Sequence, residues 1–215
     1  MNRILFIVEG TLTKPAIIKN IEQHFFTSAD YPKSSIESLI LPATTNIYTV
    51  WKKMEADDWD TDIIEVIKEL CKNVPPRELK IDLKTLRTSD YSEIYLFFDY
   101  DGHANDIPEN QHNTVIKKML NSFCNESEMG KLYISFPMAE ALKDISAFES
   151  CKSSTCIADI DDGKQYKKYV NQRTTMPKLK SIGSDVWILI LKLFLQKVCC
   201  LFDLSEIDFL KFRKY

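Results

Sequence analysis

Cysteine pairs at C-x-x-C spacing are missing from this chain, although it holds six cysteines. Cys71 and Cys124 fall in helix-like segments and Cys199-Cys200 in an apolar run. They read as reduced core thiols of a cytosolic protein, not as a disulfide or metal framework. The three histidines, His24, His103 and His112, show no zinc-ligand pattern. Positive charge is not in excess: a net charge of −3 excludes nucleic-acid binding over the whole surface and leaves only a local patch for that role. The first apolar run, Ile4 to Val8, is cut by Glu9 after five residues, so no signal peptide is expected. There is no internal repeat and no long low-complexity stretch. What is present suffices for one domain of ordinary size with a small appendage: 215 residues, 45% of them hydrophobic.

Residues 3–8 read as a buried strand, and a helix follows, with Thr13 as N-cap, Pro15 in its first turn and Ile17, Ile18, Ile21 and Phe25 on one face. "SIESLILP" reads as a second strand stopped by Pro42. Asn46 is placed to cap the helix "IYTVWKKM", and "DTDIIEVIKELCK" is a further helix. The proline-broken "NVPPRELKIDLKTLRTSDYS" reads as a loop with a short helical piece. Residues 93–98 form a strand, 110–123 an amphipathic helix, and "KLYISFP" a strand stopped by Pro137. This alternation predicts an α/β fold with a mostly parallel sheet.

Two of these strands end in acid. "RILFIVEG" closes on Glu9-Gly10 and "EIYLFFDYDGH" on Asp99, Tyr100, Asp101 and Gly102. Ligands of open parallel sheets bind beyond the carboxyl ends of the strands. A spacing of two in extended chain points Asp99 and Asp101 to one side. Three carboxylates at one rim repel each other without a cation, and an oxygen-only cluster suits Mg²⁺ or Mn²⁺. Such an ion keeps positions open for phosphate oxygens, as phosphoryl transfer or phosphodiester hydrolysis requires. On this reading, removing one acid from the repulsive cluster costs the fold little. Gly10 and Gly102 let the backbone approach a ligand or take a positive φ.

The combination of "ILFIVEG", a helix, and "IYLFFDYDG" resembles the Toprim domain shared by topoisomerases, primases and the nucleases of the OLD and RloB-like groups. The resemblance covers about residues 1 to 145. It implies a Rossmann-like core, Glu9 as general acid or base, and Asp99 and Asp101 as ligands of the divalent metal. It further implies a nuclease acting on DNA or RNA, a role in defence against phage, and a partner ATPase or sensor protein. RloB-like members read E-G-x-x-T-E-P, whereas this chain reads "EGTLTKP", with Lys14 in the acidic place and Thr13 where OLD-type members often carry an acid. Lys14 either replaces the charge of a second metal or touches phosphate, or else it weakens catalysis. Glu140, in "SFPMAEALKD", is a candidate additional metal ligand or a first-turn acid favoured by the helix dipole. His103 is a candidate phosphate contact or proton shuttle, or a surface histidine.

Two other readings use the same residues. "DYDGH" is similar to the D-x-D-G of haloacid-dehalogenase-type phosphatases, whose first aspartate is a nucleophile, although that motif belongs on the first strand. The other is a non-catalytic, partner-gated binding module of Toprim-like fold.

The domain organisation expected is a catalytic core over 1–149, then a basic loop and an apolar helical region over 150–215. Residues 163–180 hold six basic residues and no acid, with Tyr166 and Tyr169 among Lys164, Lys167, Lys168 and Arg173. Charge neutralisation with aromatic stacking is how flexible nucleic acid is gripped. "DVWILILKLFLQKVCCLF" is a strongly apolar helix, short for a membrane span and interrupted by Lys192, Gln196 and Lys197. It is expected to be buried in the chain or against a second copy, a homodimer anchored by Trp187 and Phe194.

Overall fold

The computed structural model describes residues 2–26, 36–74, 82–100, 107–136, 139–144, 163–176, 178 and 181–202. The chain divides into two compact units, Met1–Ala139 and Glu140–Tyr215, so the division falls ahead of the change of sequence character at residue 150.

The first unit is α/β. Its strands are β1 (Asn2–Glu9), β2 (Ile36–Ala43), β3 (Glu93–Asp99), β4 (Cys124–Asn125) and β5 (Gly130–Ser135), and they form one sheet in the order β2-β1-β3-β5-β4. All pairings are parallel except β4 with β5. The helices are α1 (Thr13–Ile21), which runs on into a π-helical turn (Glu22–Phe26), α2 (Ile47–Ala56), α3 (Ile63–Cys71) and α4 (His112–Ser122). The chain leaves β1 towards β2 on one side and resumes with β3 on the other. The strand order therefore switches direction between β1 and β3, where open α/β sheets hold their ligands.

Alternation sorts the strand residues onto two faces. Leu5, Ile7, Leu41, Ile94, Leu96, Phe98 and Leu132 join the main core with Tyr48, Trp51, Ile63, Ile64, Ile67 and Met119 of the helices. Ile4, Phe6 and Val8 face the other way and pack with Ile18 of α1, beside the half-buried Tyr95 and Phe97. On that second face Phe97 stacks on Tyr133 with centroids 5.1 Å apart.

Capping follows the sequence at two helices. The Asn46 side chain accepts from Thr49 N–H, and Asp62 accepts from Ile64 and Glu65 N–H, which removes orphan donors from α2 and α3. Thr13 does not cap α1; it is the first helical residue, and no side chain caps that end. Pro42 does not stop β2. It pairs with Val8 inside the strand. The Ala43 carbonyl accepts from Gly10 N–H, so Ala43 turns its polar groups towards β1 and Pro42 turns its own outward, where no donor is needed. Where one short helical piece was expected in the proline-broken loop, the described part holds two 3-10 turns, Leu83–Thr85 and Thr88–Asp90.

Gly130 opens β5 at φ +91, and an added Cβ would lie 3.3 Å from Ile94 Cγ2 and from Leu96 Cγ. Gly130→Ala should cost about 2–4 kcal/mol, from the left-handed backbone and the overpacked strand pair together. A urea-denaturation midpoint unchanged from wild type would contradict this.

In the second unit α5 spans Gly163–Arg173 and α6 spans Ser184–Phe202. The basic stretch expected as a loop is thus helical over its first eleven residues. Trp187, Ile190 and Leu193 of α6 are buried, while Ile188, Leu189, Leu191 and Val198 are exposed along with Lys192 and Gln196. The expectation that this helix is buried is therefore corrected within the chain: the uncovered side of α6 is largely apolar, and Trp187 is buried and cannot serve as an exposed anchor. Among the described residues no helix is long and apolar enough to cross a membrane.

Candidate functional site

Glu9 is the last residue of β1 and Asp99 the last of β3, so both sit at the carboxyl rim where the strand order switches. A backbone hydrogen bond joins them: Asp99 N–H donates to Glu9 Oε2 at 2.8 Å. By alternation Glu9 continues the face of Leu5 and Ile7, and Asp99 the face of Tyr95 and Phe97. The acids of adjacent strands therefore meet through main chain, and Asp99 is directed to the side covered by α1. Gly10 follows at φ +79 with open space around a Cβ position, so its glycine serves the left-handed turn.

Lys14, the second residue of α1, completes the rim. Its Nζ lies 2.8 Å from Asp99 Oδ1, and its side chain is only 7% exposed. Asp99 Oδ1 is itself buried, and the Lys14 ammonium is the charge set against it, at ion-pair distance. A buried ammonium needs such a partner. α1 starts immediately after the Gly10 turn, which brings the short link from Glu9 back over the sheet and places Lys14 above β3.

Of the remaining expected ligands only Glu140 is among the described residues. Asp101, Gly102 and His103 lie outside the described residues. Glu140 belongs to the second unit, where it is 7% exposed and paired with Lys167 Nζ at 3.1 Å. Lys167, expected to grip nucleic acid, is thus engaged with that acid. Lys168 is exposed, Tyr169 is 45% exposed, and the side chains of Lys164 and Arg173 lie outside the described residues. Tyr166 is not a stacking platform: it is buried and donates to Asp144 Oδ2 at 3.2 Å. Asp144, which the sequence reading passed over, is a buried acid of this second cluster; a hydroxyl and an acid one element apart give no local pattern to find it by. Thr174 Oγ1 donates to the Lys143 carbonyl at 2.7 Å and ties the end of α5 to the segment that carries Glu140.

The chain matches no family model, no curated protein and no solved structure.

A divalent cation requires several convergent oxygens. Among the described residues no group of three or more acidic, histidine or cysteine side chains could hold one. Glu9 Oε2 is engaged by a backbone N–H, Asp99 Oδ1 by Lys14, and Glu140 by Lys167. The described donors, as arranged, do not fit a resident Mg²⁺ or Mn²⁺.

Proposed function

We propose that this chain is a Toprim-type protein acting on nucleic-acid phosphodiesters, a nuclease of DNA or RNA with a role in phage defence. The observation that carries the reading is the junction of two acidic strand ends, Glu9 and Asp99, at the switch point of a parallel sheet. At that place Glu9 is the candidate to move a proton at the attacking or leaving oxygen, and Lys14 and Asp99 set the charge beside it. The exposed Lys168 on α5 supplies positive charge for a polyanion in the second unit. A cytoplasmic location and a partner ATPase or sensor protein belong to the same reading.

The non-catalytic, partner-gated module is the second reading, and the Lys14–Asp99 pair favours it, because a neutralised acid is a poor start for metal-assisted hydrolysis. A nuclease assay on DNA and tRNA panels, with Mg²⁺, Mn²⁺ or chelator, separates them. Cleavage lost on chelation supports the nuclease. Binding of nucleic acid or a partner without cleavage supports the module. Turnover of small phosphate esters through an aspartyl-phosphate would instead support the phosphatase.

The apolar exposed side of α6 is assigned to a second copy of the chain. Leu191 is 53% exposed, so Leu191→Asp should leave the fold intact and shift a dimer to monomer in sedimentation. A wild-type monomer at all concentrations rules out the dimer.

A further inference from the structure

We propose that Lys14 is a built-in counter-ion that takes the place of a divalent cation on Asp99, so that the rim holds metal weakly while the pair is closed. The inference deepens the Toprim-type reading and rests on it only for a divalent cation belonging at this rim.

Two observations carry it. Lys14 is buried although lysine is among the residues least often buried, so the fold has a specific use for the ammonium there. Its Nζ sits 2.8 Å from Asp99 Oδ1, so one full positive charge already stands at that carboxylate. A divalent charge on the same carboxylate, about 4 Å from a buried ammonium, is strongly repelled in a medium of low dielectric.

The test is titration of the full chain with MnCl₂ by calorimetry, with metal-dependent thermal shift as a second readout. Lys14→Gln and Lys14→Met should each bind Mn²⁺ at least about tenfold more tightly than wild type. Lys14→Arg keeps the positive charge and should stay with wild type. Adding Asp99→Asn to Lys14→Gln should remove the gain. Circular dichroism confirms that each titrated variant is folded, and the two neutral substitutions guard against one failing to fold. Equal affinity in wild type and the neutral variants overturns the proposal, as does a gain that survives Asp99→Asn. The nuclease reading is decided apart from this, by cleavage: Mn²⁺ uptake by Lys14→Gln with no cleavage would remove the nuclease and leave the counter-ion standing.

Discussion

Asp99→Asn is expected to lower the unfolding free energy by about 2–4 kcal/mol, because it strands a buried ammonium. The two partners are not equivalent: the Lys14 side chain is 7% exposed and that of Asp99 31%. Losing the acid leaves a charge with little access to water, whereas losing the lysine leaves a carboxylate that water still reaches. Lys14→Met should therefore cost less than Asp99→Asn. The double variant should cost less than the sum of the two, since it removes both charges at once. Urea denaturation of the four proteins gives the cycle. An Asp99→Asn protein within about 0.5 kcal/mol of wild type would show that the pair carries no stability. This reverses what a cluster of like charges implies, where deleting an acid relieves repulsion.

Phe98→Ala should cost about 3–5 kcal/mol. Phe98 precedes Asp99 on β3 and is fully buried in the main core. Its neighbour Phe97 points to the other face and is only half-buried. Phe97→Ala should accordingly cost well under half as much, by the area each ring withdraws from water. Equal losses would contradict the two-faced packing of β3. They would also undermine the direction assigned to Asp99, which follows from the same alternation.

The strands that carry the site, β1 and β3, were legible because they are short apolar runs that end in acid, and β5 was legible as a short apolar run ahead of Pro137. Asn46 at the start of α2 was legible for a local reason, since its side chain reaches the main chain three residues on. Pro42 misled because proline stops a strand only where its missing N–H is needed, and on the outward side of an edge strand it is not. β4 was missed because two residues show no periodicity. The helix over 163–173 was hidden by its composition, for among its described side chains only Tyr166 and Val170 are buried and the rest of the segment reads as polar. Lys14 stood out as a charge reversal, but its partner was not legible. Nothing local links the start of α1 to the end of β3; only the placement of α1 over the sheet does.

Pro42 also bears on how the sheet meets other chains. An unprotected edge strand offers a row of donors and acceptors to any extended peptide, and so invites aggregation or strand addition. Here one edge is β2, whose outward side lacks the Pro42 donor, and the other is β4, only two residues long. Both borders are poor templates, one chemically and one by length. Recognition that works by lengthening the sheet is disfavoured on either side, and the open parts of the fold are left to side-chain contacts.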